Sequence, residues 1–318
     1  MSVIALDCYE KFCNNSFRQG DYIWPSDYRD GDIVYCAPED IKRFFDFIKN
    51  ADIKAKIILV TSGSDYGIHY QAESHPNFDI SKCVYAVDYG EIAKHNDYVQ
   101  VSLETANYEQ CVATDKFSVK MDRYTINTFP EIPPNIVKWF CANANIQEPQ
   151  VEFLPYGVNN DGHGKDIISS YKKAWWDKEK EVYANFQINS IERLHLKDYL
   201  RGISYTTWLT FVENPNLPVE KYYEELANHQ FTIATSGNGL DSYRVWEALE
   251  LGTIPMIQPC RWSANLLAAG FNVVVMDLFK LDGRKLEAIK QKCKPNFNAE
   301  LISQEYWKNK IEKARELI

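Results

Sequence analysis

FTIATSGNGLDSYRVWEALELGTIPMI, residues 231–257, decides how this chain is read. Residues 231–235 form a short apolar run of strand type, and Ser236 to Asp241 make a loop holding two glycines. Ser242 to Leu251 carry helical spacing, Gly252 stops the helix, and 254–257 are a second strand. Gly237 and Gly239 bring the loop backbone to the mouth of the helix. Free N–H groups and the helix dipole suit a phosphate or diphosphate there. Arg244 and Glu247 stand three apart, on neighbouring turns of one helix face. A guanidinium clamps phosphate oxygens in two places, and a carboxylate one turn on accepts from ribose hydroxyls. The outline is that of a nucleotide-sugar site. A plainer reading makes Arg244 and Glu247 a surface ion pair on a helix packed by Trp246, Leu249 and Leu251, since lone GxG pairs are mostly tight turns.

Order and spacing shift that balance. Gly237, Asn238, Gly239, Leu240, Asp241, Arg244, Trp246, Glu247, Leu249, Gly252, Ile254 and Pro255 together resemble the nucleotide-sugar signature of exostosin-like glycosyltransferases. Residues 139–160, WFCANANIQEPQVEFLPYGVNN, resemble that family's W-F-A-x-N and L-P-x-G-x-x-N stretch. Residues 182–201, VYANFQINSIERLHLKDYLR, resemble its Y-x-N-F opening, and 57–68, IILVTSGSDYGI, its strand ending in N-S-D. The matches run in order from about 55 to 260. The resemblance implies a GT-B fold, two Rossmann-like domains facing across a cleft. An acceptor-side domain would span 1–175 and a nucleotide-sugar-binding domain 176–318, with the last helix able to pack back on the first. It also implies an inverting transfer of a hexosyl or pentosyl group from a nucleoside diphosphate sugar, UDP-linked in preference, to a glycan or other hydroxyl acceptor.

Such a transfer needs the leaving diphosphate neutralised, an acceptor proton removed and the anomeric carbon held in line. For the diphosphate the candidates are Arg244 and Arg193, with Ser236, Gly237, Asn238, Gly239 and Asp241 lining the loop; Glu247 is the candidate ribose or base partner. Arg193 follows the NFQINS loop, where the family also has an arginine, although a solvent-facing helix arginine is the plain alternative. The candidate base is Asp65, just past the strand 56–62; a turn or helix-cap role is its alternative, and His69, Asp7 and Glu10 are rivals. No metal is expected, because arginines and a helix dipole supply the charge. The one DxD match, Asp30-Gly31-Asp32, precedes a strand and reads as a turn. Trp175 and Trp176 read as hinge or core packing, and Tyr156, Asn159 and Asn160 as contacts near the cleft.

Outward from the signature, the chain alternates strand and helix. Strands are read at 32–37, 56–62, 83–88, 98–103, 151–157, 181–187, 206–211 and 272–277. Helices are read at 38–51, near 134–143, and at 190–201, 218–228, 283–292 and 298–317, with a loop over 159–170 and a linker over 171–181. Alternation of this kind argues for open, mainly parallel sheets, whose ligands sit beyond the carboxyl ends of the strands. Residues just after 62, 187, 235 and 257 are therefore the ones to examine.

With 318 residues the chain is long enough for two cores. No run approaches the ~18 apolar residues of a membrane span, and the start MSVIALDCYEKFC lacks a secretory leader. The eight cysteines show neither CxxC pairs nor zinc spacing and read as reduced thiols, so a cytoplasmic setting is expected. A net charge of −9 lacks the basic footprint of a nucleic-acid binder. That counts against one alternative, a glycosyltransferase acting on modified DNA bases. The other, a nonenzymatic sugar-binding or scaffold protein retaining the fold, has against it the intact Gly237, Gly239, Arg244 and Glu247.

Overall fold

The apolar runs condense into two parallel sheets. The structure, a computed structural model, describes residues 3–5, 8–18, 25–63, 66–70, 84–88, 100–103, 117–120, 127–129, 132–145, 148–159, 164–188, 191–237, 239–293, 295 and 297–318. In the first sheet β1 (Asn15–Phe17), β2 (Ile33–Cys36), β3 (Ile57–Thr61), β9 (Ile136–Ala142) and β11 (Val151–Leu154) lie side by side in that order, all parallel. Helix α1 (Ile41–Asn50) buries Ile41, Phe44, Phe45 and Ile48 against one face of it, with Trp139 and Cys141 of β9 among the partners. The strands between belong elsewhere. β4 (Tyr66–Tyr70), β5 (Val84–Asp88) and β8 (Asn127–Phe129) pair antiparallel, and β10 (Ala144–Asn145) joins β4 in parallel. β6 (Gln100–Leu103) and β7 (Phe117–Lys120) form a separate antiparallel pair.

The helix expected near 134–143 is instead β9. Ile136, Val137, Trp139 and Phe140 are β-branched or aromatic, and the strand, central between β3 and β11, buries Trp139 and Cys141 in one core and Phe140 and Ala142 in the other, so its apolar run is broken only by Lys138. A doubly buried strand and a buried helix segment share that pattern. The stretch 159–170, read as a loop, contains a helical turn, α2 (Gly164–Ile167), and a 3-10 turn over Ile168–Tyr171. The expected linker is packed: Trp175 is buried, and the buried Lys178 ammonium donates to Ala227 O, Leu251 O and Thr253 Oγ1 at 2.6–3.0 Å.

In the second sheet β12 (Lys180–Ala184), β13 (Leu209–Phe211), β14 (His229–Ile233), β15 (Ile254–Ile257) and β16 (Val274–Val275) are again all parallel. Their spatial order is β13-β12-β14-β15-β16, the doubly wound order in which the first strand lies between the second and third. The connecting helices are α3 (Ile191–Ile203), α4 (Val219–Ala227), α5 (Tyr243–Glu250) and α6 (Arg261–Ala268), followed by α7 (Gly283–Lys292) and α8 (Gln304–Lys313). α3 packs Leu196 and Leu200 on one face with Val182, Phe231 and Ile254; α5 packs Val245, Trp246 and Leu249 on the other with Tyr183 and Ile257.

That second face is also the meeting ground of the two sheets. Ile58 and Val60 of β3, Phe140 of β9 and Phe153 of β11 belong to the same core cluster as Trp246 and Leu249 of α5 and Phe271. The Phe153 and Trp246 rings stack at 6.0 Å, and Trp307 of α8 meets Phe153 edge-on at 6.2 Å. The C-terminal segment also returns to the first sheet: Ile4 N–H donates to Ile302 O, and Arg315 donates to Gly31 O and Asn14 Oδ1. No helix of the described residues is long and apolar enough to cross a membrane. Cys13, Cys36, Cys141, Cys260 and Cys293 carry free thiols.

Candidate functional site

In the second sheet the chain leaves β12 for α3 on one face and β14 for α5 on the other. A crevice opens between such a pair of strands at their carboxyl ends. The segments entering it are 185–188 after β12 and 234–242 after β14.

Arg193, in the first turn of α3, ties these two segments together. Its Nε donates to Ser236 O at 2.7 Å and its Nη1 to Gln187 O at 3.0 Å. Only 5% of the residue is exposed, which tells against the solvent-facing alternative. Burial, reinforced by the nearby Arg244 charge, lowers its pKa to about 9, so the guanidinium stays charged at neutral pH. Its Nη2 lies 3.5 Å from where a Cβ on Gly237 would stand, so the cation lines the glycine loop. Gly237 N–H donates to Gly239 O at 2.8 Å, which holds these two glycines together.

Arg244 enters from the first turn of α5. Its Nε is buried and has no hydrogen-bond partner among the described residues. Two neighbouring hydroxyls share that state, Thr235 Oγ1 on the approach from β14 and Ser242 Oγ at the start of α5. In the first sheet, Ser62 Oγ, just past β3, is also buried without a partner among the described residues. Buried polar groups are normally satisfied, so the unsatisfied donors of Thr235, Ser242 and Arg244, on either side of the glycine loop, mark where a ligand's acceptors would go.

Glu247 is 7% exposed and accepts from Tyr222 Oη at 2.9 Å. Burial raises its pKa, opposed by the Arg244 charge and by hydrogen bonds from Tyr222 and Tyr223. No ion pair joins it to Arg244, and its burial excludes the surface-pair reading. Ser236 donates its hydroxyl to Glu192 Oε2 at 3.4 Å, and burial raises the Glu192 pKa.

Asp241 has a different engagement from the one its place in the loop suggests. It is buried and accepts from Trp246 Nε1 at 2.6 Å and from Tyr156 N–H, of the first half, at 2.8 Å. Desolvation raises its pKa well above the ordinary carboxylate range, opposed by those donors. Its own N–H donates to Asn143 Oδ1 at 2.7 Å. Asn143 follows β9, and the sequence reading gave it no role in the site.

Asp65, Asp7, Asn238 and Asn160 lie outside the described residues. His69 sits in β4, paired through the backbone with Asn145 and Tyr85. Glu10 forms an ion pair with Arg18. In the DxD stretch, Asp30 accepts from Lys56 N–H and Asp32 from Arg29 N–H, around a Gly31 with φ of 85°. That is the geometry of a turn. Trp175 is buried beside Phe231, whereas Trp176 is 81% exposed. Among the described residues no group of three or more His, Cys, Asp or Glu side chains is placed to hold a metal ion.

Arg193, Arg244, the glycines of the loop and buried donors without a partner among the described residues thus lie beyond β12 and β14. Chemically the arrangement suits an anion rich in acceptor oxygens. No protein-family model matches the chain, and a search of curated proteins finds no match either.

Proposed function

We propose that the chain is a GT-B glycosyltransferase that moves a hexosyl or pentosyl group from a nucleoside diphosphate sugar, preferably UDP-linked, to a hydroxyl acceptor. The observation that carries this reading is the convergence of Arg193 and Arg244 on the glycine loop at the switch point of the second sheet. In the reaction the acceptor oxygen attacks the anomeric carbon and the bond to the diphosphate oxygen breaks with inversion. The nucleoside diphosphate leaves with the electron pair, into the field of the two guanidiniums. The acceptor proton passes to a base on the first half, for which Asp65 and His69 are the candidates. Glu247, held by Tyr222, accepts from the donor's ribose or base. Charge neutralisation by the two arginines makes a bound metal unnecessary in this scheme.

Calorimetric titration of UDP, GDP, ADP and CMP without added metal tests the reading. Micromolar binding of a nucleoside diphosphate, weakened at least a hundredfold in Arg244→Ala, is the expected result. Equal binding by the variant removes Arg244 from the site, and no binding of any nucleotide to the wild type overturns the donor reading.

A further inference from the structure

The glycine loop lies in the second half of the chain, yet its conformation is held from the first. Asn143 stands where β9 gives way to β10, fully buried, with φ of 54°. Non-glycine residues rarely adopt this left-handed backbone, and asparagine tolerates it best. The turn aims the carboxamide across the boundary between the two sheets. Asn143 Oδ1 accepts Asp241 N–H at 2.7 Å, a hydrogen bond between residues 98 apart in sequence. The same carboxamide packs against Gly239 so closely that a Cβ there would lie 2.9 Å from Nδ2 and 3.0 Å from Oδ1. One residue of the first half therefore fixes two points of the loop, and Gly239 is required because the amide fills the space its side chain would take.

A second tie acts beside the first. Asp241 accepts Tyr156 N–H, just past β11, so both neighbouring strand ends of the first sheet hold the same stretch of loop. Gly237, Ser242 and Arg244 flank that stretch, and their positions follow from it.

Resting on the donor-site reading, we infer that Asn143 is a positioning residue: its carboxamide sets the glycine loop in the geometry that receives the donor's diphosphate. It touches no ligand itself and acts through the Asp241 amide and the Gly239 backbone. The donor site is then assembled jointly by both halves.

The test uses the whole 318-residue chain and four proteins: wild type, Asn143→Gly, Gly239→Ala and the double variant. Asn143→Gly keeps the left-handed backbone accessible while deleting the amide. Gly239→Ala attacks the same contact from the loop side, at a residue whose own φ allows alanine. Amide hydrogen exchange is followed without ligand, and UDP binding is measured by calorimetry. The expected result for Asn143→Gly is exchange at least tenfold faster over 237–242, unchanged rates in β12 and α7, and UDP affinity at least tenfold weaker. Gly239→Ala should lose comparable affinity, and adding Asn143→Gly to it should cost less than the two separate losses combined, because the clash is gone. Unchanged loop exchange in Asn143→Gly overturns the inference, as does faster exchange with unaltered UDP affinity. If the wild type binds none of UDP, GDP, ADP and CMP, the donor reading falls by itself, while the exchange rates still decide whether Asn143 holds the loop.

Discussion

Glu247 shows how a buried carboxylate in a binding site trades stability for a polar contact. Its pKa lies above the ordinary value because burial disfavours the charged form more than Arg244, Tyr222 and Tyr223 favour it. A raised carboxylate pKa contributes stability below the unfolded value, and that contribution is lost as pH rises through the folded value. At neutral pH the ionised group is therefore a net cost. Glu247→Gln removes the charge and leaves an amide oxygen for Tyr222 Oη. The variant should unfold at a higher temperature than the wild type at pH 7, while its nucleotide affinity falls. A thermal midpoint at or below that of the wild type would show that the field of Arg244 outweighs the desolvation.

At the scale of elements, what the sequence made legible was local. The strand, glycine loop, helix and strand of 231–257 stand almost where periodicity put them, with β14 beginning two residues earlier, at His229. Glu247 was singled out by its spacing from Arg244 and the loop, and Arg193 only through the family resemblance after NFQINS; the structure places Arg193 against the loop through Ser236 O. Asn143 closes the W-F-A-x-N match, yet its role was not legible, because that role depends on a partner 98 residues away and on a backbone turn that no spacing announces. β9 was misread because a strand covered on both faces loses the alternation that distinguishes it from a helix.

The start of β14 carries its own expectation. His229 is fully buried, with Nδ1 2.6 Å from Glu225 O and Nε2 without a partner among the described residues. Burial above all, helped by the nearby Lys180 and Lys178 charges, lowers its pKa to about 4. As pH falls below about 6.5 the unfolded chain takes up a proton that the folded chain refuses. Stability should drop by about 3 kcal/mol between pH 6.5 and 4 from this group alone. Urea titrations across that range should show the loss in the wild type and a shallower dependence in His229→Gln. Parallel profiles would mean that the imidazole protonates in the native state without penalty.

At the scale of the molecule, the shared core sets how independent the two halves are. Two Rossmann-like units joined only by a linker would bury separate cores and unfold separately. Here Phe153 of the first sheet stacks on Trp246 of the helix that carries Arg244 and Glu247, and Trp307 of the C-terminal helix closes over the same ring. Asp241 adds polar ties to Tyr156 and Asn143 across the boundary. A ligand at the second sheet is thereby bound by a body that includes the first. Urea unfolding should accordingly be one transition, with tryptophan fluorescence and far-ultraviolet dichroism coinciding. Trp246→Ala deletes the central ring and should cost about 3–5 kcal/mol, the usual range for emptying a large aromatic site in a core. The diagnostic point is where that loss falls. If the halves share one core, the single midpoint moves as a whole and hydrogen exchange quickens in β2 and β3 as well as in β14 and β15. Two separated transitions, with exchange altered only in the second sheet, would mean that the halves fold independently and that the contacts between them contribute little.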